Sequence, residues 1–524
     1  MSPLTAREEA ATLLAGLPER LSHVIRKPAA ERPEHPALIS GDTVWTYGEL
    51  TGIVAEVAAA LKAYGIRPGD RVMIVSENSL ALAAIVLAAS ELDAWSVVGN
   101  PRLSNREIDL IRDHSGARRV FYAVDVSDAA RQHAQRHQAA IVSVGRLGVL
   151  GIGALNESAT AEPVETEGAR QVAALLYTSG TTGNPKGVML THRNILFNAR
   201  VSTVVRDPTP ADKIYGVLPM SHIVGFSIIL ASSLMAGCTV HLVPRYDPAA
   251  FVAAVATNAV TMLFGVPATY QRLLEYKAVA GLKALPRGAL RTLFVAGAPL
   301  DLALKRQIEA EFGLPLLNAY GITECAPGIS GVRYAAPRED VSVGTIIPGI
   351  EVRLVGRDGA AVQSGEVGEL HVRGPNVMRG YYRAPQATAA AIDAEGWFNT
   401  GDLARFEGDA LFIAGRTKEL IIRSGFNVYP AEVEAVLNAH PAVVQSAVVG
   451  RTVAGNEEVV AFVQLLAGSS LGPAELMAHA NTQLTAYKRP AEIVILDALP
   501  AGSTGKILKH RLAEAAREQA ARRP

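Results

Sequence analysis

The chain has 524 residues, more than one ordinary domain holds, and 49% of them are hydrophobic while 6% are aromatic. The 50 Lys and Arg residues balance the 50 Asp and Glu residues, which excludes wholesale binding to nucleic acid or to a membrane surface. The two cysteines, Cys238 and Cys325, are too few for a disulfide framework and fit a reducing compartment. We therefore expect a large soluble α/β protein in the cytoplasm.

The sequence contains no segment that we expect to enter a membrane. The first 16 residues, MSPLTAREEAATLLAG, mix charged residues with alanine and lack the long apolar core of a signal peptide. The longest apolar runs, such as residues 81–89, are too short to span a bilayer. These patterns predict a chain without a signal peptide or a transmembrane segment.

Strand-like and helix-like runs alternate through much of the chain. Residues 71–76 (RVMIVS) have the pattern of a buried strand, and an apolar helix-like stretch follows at 80–92. Residues 260–266 and 290–296 predict two more buried strands, with helical sequence between and after them. This rhythm predicts parallel sheet covered by helices.

The pattern changes after about residue 340, where 351–355 and 368–373 predict antiparallel strands. A smaller α/β unit begins near Lys418. Its predicted elements are a helix from Pro430, strands at 443–449 and 459–465, and a helix from 507 onward. We expect a large N-terminal α/β domain of several subdomains, one of them β-rich (1–415), and a small α+β C-terminal domain (419–524), joined by residues 416–418.

A glycine-rich segment, YTSGTTGNPKG at 177–187, follows an apolar strand at 172–176. Its hydroxyls, backbone N–H groups and Lys186 suit a triphosphate, because glycine lets the main chain wrap closely around an anion. It is not a Walker loop, because the spacing differs and residues 187–190 predict a strand. A flexible hairpin without a ligand stays open on these residues alone. The candidate phosphate-binding residues are Thr178, Ser179, Gly180, Thr181, Thr182, Gly183 and Lys186.

This segment resembles the phosphate-loop signature of the adenylate-forming superfamily, which includes acyl- and aryl-CoA synthetases, peptide-synthetase adenylation domains and firefly luciferase. The family's other motifs follow in order over nearly the whole chain. The resemblance implies an ATP-dependent carboxylate–CoA ligase. Such an enzyme forms acyl-AMP and pyrophosphate and then acyl-CoA and AMP, with ATP, Mg²⁺ and coenzyme A.

Residues 318–324 (NAYGITE) resemble the family's adenine and metal motif. The resemblance implies that Tyr320 stacks on adenine, that Thr323 contacts the α-phosphate, and that Glu324 binds Mg²⁺. Without the other motifs, a turn with a core Tyr and a surface Glu is the simpler interpretation. The residues of this motif and of the preceding AGAP segment implied to contact ATP are Asn318, Ala319, Tyr320, Gly321, Thr323, Gly297, Ala298 and Pro299.

Two further motifs resemble the family's ribose and hinge motifs. In GWFNTGD (396–402), Asp402 is implied to accept hydrogen bonds from the ribose hydroxyls. In GRTKELIIRSG (415–425), Arg416 is implied to contact ribose and phosphate, and Lys418 occupies the hinge position.

The C-terminal domain is implied to be mobile. Lys506, in PAGSTGK (500–506), resembles the family's catalytic lysine, which would stabilise negative charge during adenylation. After a rotation about Lys418, Gly425 and Phe426 would flank the tunnel for the pantetheine arm of CoA. Tyr487 and Arg489 would contact its nucleotide. The implied catalytic residues are Lys506, Glu324, Thr323, His222 and Lys418.

The acyl pocket of this family is formed by the segments that correspond here to 219–227, 296–298 and 319–327. The predicted pocket residues are His222, Ile223, Gly225, Phe226, Ala296, Gly297, Ala319, Gly321, Ile322 and Ala326. These segments are mostly small or apolar, and His222 is implied to border the pocket.

The absence of charged residues at three places narrows the class of carboxylic acid that we expect as the substrate. The pocket segment lacks the Asp with which amino-acid-activating domains hold the α-amino group, and Ala319 stands where dicarboxylate enzymes often carry Arg. No Lys or Arg occurs between 220 and 237. We therefore expect a neutral, apolar tail: aromatic, alicyclic or medium-chain aliphatic. The segment 219–226 is most similar to aryl-CoA ligases of the chlorobenzoate and coumarate type.

Three other functions stay open: an adenylation protein that loads a carrier protein, a luciferase-like oxygenase, and a non-catalytic binding protein. The basic patch at Arg489 and the lack of a fused carrier domain favour CoA over a carrier. The presence of Lys186, Glu324, Asp402 and Lys506 favours an enzyme. A homodimer also stays open.

Overall fold

The computed structural model describes residues 3–178, 185–424, 426–453, 456–466, 468–502 and 507–521. Two large sheets and a four-stranded antiparallel sheet form the N-terminal part, and two small sheets form the C-terminal part. This confirms the predicted class, a large α/β part with a β-rich sheet followed by a smaller α+β part.

The largest sheet has nine strands among the described residues, and its six central strands are parallel. In spatial order they are Thr345–Ile346, Gly328–Gly331, Leu316–Gly321, Thr292–Ala296, Met262–Gly265, Lys213–Gly216, Thr239–Leu242, Pro36–Ser40 and Thr43–Thr46. The strands predicted at 260–266 and 290–296 are both present, with later starts, near the middle of the sheet. They are almost wholly buried, as expected where helices cover both faces of a parallel sheet.

The second large sheet has eight strands in the described part of the chain. In spatial order they are Gly380–Tyr381, Lys186–Thr191, Val172–Thr178, Trp95–Gly99, Arg71–Val75, Arg119–Tyr122, Val149–Ile152 and Ala140–Ser143. The predicted strand at Arg71–Val75 and helix at Leu80–Glu91 are confirmed. The side chain of Ser79 starts this helix by accepting a hydrogen bond from the Leu82 N–H.

The glycine-rich segment joins two neighbouring strands of this second sheet. Val172–Thr178 and Lys186–Thr191 pair antiparallel, and Thr178 lies opposite Lys186. The prediction that a strand, not a helix, follows Lys186 is therefore confirmed. Residues Ser179, Gly180, Thr181, Thr182 and Gly183 lie outside the described residues.

The β-rich sheet consists of Glu351–Val355, Gly368–Arg373, Phe398–Glu407 and Ala410–Arg416, in this spatial order and all antiparallel. Its first two strands have the predicted bounds. Side chains of Gly368–Arg373 alternate between buried and half-buried, which is the period of a sheet with one covered face.

Helices pack around the two large sheets. They are Pro3–Leu14, Arg26–Glu31, Tyr47–Ala63, Leu80–Glu91, Asn105–Ser115, Asp128–Arg136, His192–Arg206, Ser233–Met235, Pro248–Ala256, Pro267–Val279, Leu302–Phe312 and Pro385–Ala391. Short 3₁₀ turns lie at Leu21–Ile25, Gly145–Leu147, Gly168–Arg170 and Thr323–Cys325. None of the helices in the described ranges is both long and apolar enough to cross a bilayer.

The C-terminal part has its own core. Its elements are the turn Thr417–Glu419, strands Ile421–Arg423 and Phe426–Val428, helix Pro430–Asn438, strands Val443–Val453 and Asn456–Leu465, helix Pro473–Gln483, the turn Ala486–Lys488, strand Glu492–Ile495 and helix Lys509–Ala521. The predicted helix at Pro430 and the final helix are confirmed. The strands predicted at 443–449 and 459–465 both continue toward each other as a long antiparallel pair.

The division at residues 415–419 stays a prediction. At that point the chain leaves the last strand of the four-stranded sheet and enters the turn Thr417–Glu419. Contacts between the two parts include the Gln271 amide, which donates to the Val444 carbonyl at 3.1 Å.

A π-helix at Val224–Ser232 begins two residues after His222. Gly225 lies in its first turn, where a Cβ atom would overlap the carbonyl oxygen of Pro219. Glycine thus allows this helix to pack closely on the segment before it. π-helical turns are rare and are frequent near functional sites.

We predict that Gly225→Ala lowers the thermal unfolding midpoint by several degrees, because overpacking a core costs about 1–3 kcal/mol. Gly52→Ala is the matched control, because Gly52 is exposed within helix Tyr47–Ala63 and a Cβ there meets no atom within 4 Å. The control should be neutral or more stable by about 0.5–1 kcal/mol. Thermal melting of both variants tests this, and equal midpoints would contradict the close packing at Gly225.

Candidate functional site

Three neighbouring parallel strands of the nine-stranded sheet end side by side. They are Met262–Gly265, Thr292–Ala296 and Leu316–Gly321. Ligands of parallel α/β sheets bind beyond the carboxyl ends of the strands, where the connecting loops begin. The segments predicted to bind adenine and the acyl group, 296–299 and 318–324, lie at this edge.

A cavity lies at this edge, and small and apolar residues form most of its wall. Its lining includes Asn198, Val205, Arg206, Leu218, His222, Val224, Ile228, Phe264, Phe294, Ala296, Gly297, Ala319, Tyr320, Gly321, Pro327 and Gly331. Five of the predicted pocket residues are among them: His222, Ala296, Gly297, Ala319 and Gly321.

Five other predicted pocket residues do not line this cavity. Ile223, Phe226 and Ala326 are packed in the hydrophobic core, and each is at most 1% exposed. Gly225 packs on Pro219, and Ile322 lies against the core. Residues of the segment 219–227 do line the cavity, but its π-helix changes which of its side chains share a face.

Val224 and Ile228 line the cavity from this π-helix instead. They are apolar, so the expectation of apolar side chains from this segment still holds. Their place in the cavity wall follows from the π-helix, which the sequence pattern did not predict.

Arg206 was missed entirely. It is the last residue of helix His192–Arg206, outside the segments from which the pocket was predicted, and it lines the cavity. Its guanidinium carbon lies 5.6 Å from the ring centroid of Phe264 and 5.2 Å from that of Phe294. A basic side chain therefore lines the cavity, although the segment 220–237 contains no Lys or Arg.

Asp402 is held by two partners at the end of the sheet. The Tyr320 hydroxyl donates to one carboxylate oxygen, and the Arg416 Nε donates to the other at 3.0 Å. Asp402 and Arg416 face each other on adjacent antiparallel strands, and Asp402 is only 4% exposed. A buried carboxylate needs such partners, since an unpaired charge is costly away from water.

These contacts set the protonation of the cluster. Burial raises the pKa of the Tyr320 hydroxyl well above its ordinary value, and the Asp402 carboxylate raises it further. Burial alone would lower the pKa of Arg416, but the carboxylates of Asp402 and Glu419 raise it above its ordinary value. At neutral pH, Tyr320 is a hydrogen-bond donor and Arg416 is a cation.

Glu324 lies in the 3₁₀ turn Thr323–Cys325, and Tyr381 connects it to Lys186. The Tyr381 hydroxyl donates to the Glu324 carboxylate at 2.9 Å, and the Lys186 ammonium lies 4.8 Å from the centroid of the Tyr381 ring. Burial and the Glu324 carboxylate raise the pKa of Tyr381, so it stays protonated.

The sequence analysis did not single out Tyr381. Its place follows from the pairing of strand Gly380–Tyr381 with Lys186–Thr191, in which Tyr381 lies opposite Val188. No motif quoted from the sequence contains it.

The residues around Glu324 fit a Mg²⁺ ion that arrives with a nucleotide. Within the described ranges, no group of three or more His, Cys, Asp or Glu residues could enclose a metal on its own. Mg²⁺ is usually bound by one or two carboxylates together with substrate phosphates. One carboxylate beside the Lys186 ammonium is consistent with that arrangement.

The other predicted nucleotide residues differ in how they are placed. Gly297 and Pro299 are exposed in the loop after Thr292–Ala296, and Ala298 between them is half-buried. The Asn318 amide instead donates to the carbonyls of Val341 and Ser342, at 3.0 and 3.2 Å. Its side chain thus secures the neighbouring chain segment.

The residues predicted for the hinge and for CoA are in the C-terminal half. Lys418 is exposed in the turn Thr417–Glu419. The exposed Phe426 ring stacks on Tyr487, with centroids 4.7 Å apart. The Arg489 Nε donates to the Leu484 carbonyl at 2.9 Å, so this side chain already holds the end of a helix. Gly425 and Lys506 lie outside the described residues.

Comparison with known proteins agrees with this arrangement. A family model described as AMP-binding enzyme matches residues 25–382, and one described as AMP-binding enzyme C-terminal domain matches residues 432–506. A feruloyl-CoA synthase of Amycolatopsis sp is 36% identical over 480 residues, which cover 91% of this chain and 95% of that protein. An indoleacetate–CoA ligase of Aromatoleum aromaticum is 33% identical over 499 residues, covering 93% and 96%.

Among solved structures, an o-succinylbenzoate CoA synthetase from Bacillus subtilis, in complex with its acyl-adenylate intermediate, superimposes with a TM-score of 0.79. It is 30% identical, and the match covers 94% of this chain and 97% of that one. The family models span most of the chain, and the relatives are similar over nearly their whole length. The chain therefore belongs to the AMP-binding enzyme family, the adenylate-forming superfamily that its motifs predict.

Proposed function

We propose that the protein is an AMP-forming acid–thiol ligase that activates an aromatic carboxylic acid with ATP and transfers the acyl group to CoA. One observation carries the proposal. Tyr320 lines the apolar cavity and also bonds to Asp402, so the acyl cavity and the predicted nucleotide site share a wall. The relatives named above support this class, and the o-succinylbenzoate enzyme has also been solved with ATP and a magnesium ion.

In the first half-reaction, a carboxylate oxygen of the acid attacks the α-phosphorus of ATP, and pyrophosphate leaves. Asp402, which Tyr320 and Arg416 hold in place, would accept hydrogen bonds from the two ribose hydroxyls. Thr323 and Lys506 would contact the reacting carboxylate and phosphate. Bound Mg²⁺ would neutralise phosphate charge, and Glu324 would hold it.

In the second half-reaction, the CoA sulfur attacks the acyl carbon, the thiol proton passes to solvent, and AMP leaves with the former acyl–phosphate oxygen. We assign the CoA approach to the side of Phe426 and Tyr487, whose stacked rings form an aromatic surface. His222 borders the cavity, where it would control access to the adenylate.

The lining of the cavity favours an aromatic acid. Phe264 and Phe294 stack on each other with centroids 4.9 Å apart, and Ala296 and Ala319 leave space between them and the cavity mouth. The names of two relatives specify feruloyl and indoleacetyl groups, and both of these acyl groups are aromatic. We also propose a cytoplasmic location, supported by the two buried free cysteines.

A substrate panel tests the proposal. Purified protein should release AMP from ATP in a CoA-dependent manner with aryl acids, and far less with malonate or amino acids. A phosphopantetheinyl carrier protein in place of CoA tests the carrier-loading alternative. If the carrier is acylated and CoA is not, or if no acid of the panel supports AMP release, the proposed function is wrong.

We predict that Tyr381→Phe slows adenylation about 10- to 100-fold, because a hydrogen bond to a charged group contributes roughly 1.5–3 kcal/mol. The change keeps the ring beside Lys186 and removes only the hydroxyl that orients Glu324. Tyr382→Phe is the matched control, because the Tyr382 hydroxyl bonds to Glu162 instead. Acid-dependent pyrophosphate exchange measures the step. Equal rates of pyrophosphate exchange in the two variants would contradict a role for Tyr381 in adenylation.

We predict that Lys418→Pro blocks thioester formation and spares adenylation, because proline fixes φ at the proposed hinge. Lys506→Ala should do the reverse, and Lys418→Ala, which keeps the backbone free, is the control. Single-turnover kinetics with acid plus ATP, and separately with synthetic acyl-AMP plus CoA, resolve the half-reactions. Loss of both half-reactions to the same extent in both variants speaks against rotation of the C-terminal domain.

A further inference from the structure

Arg206 is a cation in a cavity lined mostly by small and apolar residues, and among the described residues no carboxylate pairs with it. Its Nη1 donates to the Ser202 hydroxyl, one helical turn earlier. Its Nε is buried and has no hydrogen-bond partner among the described residues. Burial alone lowers the pKa of Arg206, to about 10, and no charged neighbour contributes. The side chain is therefore charged at neutral pH and only partly satisfied.

The two aromatic rings beside Arg206 do not supply the hydrogen-bond acceptor that its guanidinium lacks. The stacked rings of Phe264 and Phe294 attract the guanidinium through their faces, which fixes its position. Neither ring accepts a hydrogen bond as an oxygen does. A largely buried cation without full compensation is costly, and in a cavity it is a candidate for ligand binding.

Arg206 lies at the part of the cavity lined by Phe264 and Phe294. Phe294 precedes Ala296 by two residues on one strand, so their side chains share a face about 7 Å apart. Ala296 pairs with Ala319, which directly precedes Tyr320, the residue bonded to Asp402. An acid whose carboxylate reacts beside Tyr320 would therefore point its other end toward Phe264, Phe294 and Arg206.

We propose that Arg206 is a specificity-determining residue that selects aryl acids bearing an oxygen acceptor at the end opposite the reacting carboxylate. The aryl ring would pass along the phenylalanine pair, and its distal oxygen would accept a hydrogen bond from the guanidinium. A phenolic hydroxyl and a second carboxylate share this chemistry. This inference rests on the proposed function and replaces the neutral, purely apolar tail expected from the sequence.

The experiment compares three acids of similar shape: para-hydroxycinnamate, para-methylcinnamate and para-carboxycinnamate. Wild-type kcat/KM for CoA-dependent AMP release should favour at least one oxygen-bearing acid over the methyl acid by about 10- to 100-fold, the range for a hydrogen bond to a charged group. The oxygen-bearing acid with the higher kcat/KM identifies whether a phenol or a carboxylate is the preferred acceptor. A wild-type enzyme that uses the methyl acid best overturns the proposal.

Arg206→Met should abolish the preference for the oxygen-bearing acids over the methyl acid. Arg206→Lys keeps a cation and should keep part of the preference. It takes the place of the Met variant in the test if the Met variant does not fold. Arg200→Met is the matched control, because Arg200 lies on the same helix and does not line the cavity. A preference that survives in Arg206→Met overturns the proposal.

The two proposals fail in different ways. If none of the three acids, nor any other aryl acid, supports CoA-dependent AMP release, the proposed function fails. If the acids are turned over without a preference that depends on Arg206, the ligase stands and the role of Arg206 is overturned.

Discussion

The buried Asp402 carboxylate is the interaction on which the arrangement of the site depends. Its two partners come from different sheets: Arg416 from the adjacent antiparallel strand and Tyr320 from the end of the parallel sheet. Since a buried charge is stable only while both partners stay in place, the cluster holds the β-rich sheet against the edge where the loops converge. Arg416 is also followed directly by the turn Thr417–Glu419, so any motion of the C-terminal part begins at a fixed point.

Strand Leu316–Gly321 contributes neighbouring residues to the cavity and to the polar cluster around Asp402. Ala319 lies opposite Gly331 and Ala296, and these small residues line the cavity. Tyr320, the next residue, also lines the cavity and donates its hydroxyl to Asp402. The cavity and the polar cluster therefore meet within about 4 Å of chain on a single strand. Under the proposed function, the acid and the nucleotide would meet at this wall.

Local patterns predicted much of this structure, and non-local contacts explain what they missed. The apolar run at Arg71–Val75 and the alternating strands at Glu351–Val355 are set by neighbouring residues, so they were found with nearly the right bounds. The motifs named Tyr320 and Asp402, but the bond between them joins positions 82 residues apart and follows only from the fold. Tyr381 was missed for the same reason, because the pairing of its short strand with Lys186–Thr191 brings it to Glu324, which lies 57 residues away in the chain.

The sequence predicts the reaction class better than the substrate, and the physical reason is the same. Binding of ATP uses backbone N–H groups, glycines and a few charged side chains in contiguous loops, so its chemistry leaves a mark in the sequence. The acyl cavity is closed by whichever side chains the packing of distant elements brings together, and Arg206 reaches it from the end of a helix that carries no motif. The absence of a basic residue between 220 and 237 said nothing about that helix. A family's shared chemistry can therefore be read from local sequence, while the acid is determined by tertiary packing, in which one cation decides what the far end of the cavity accepts.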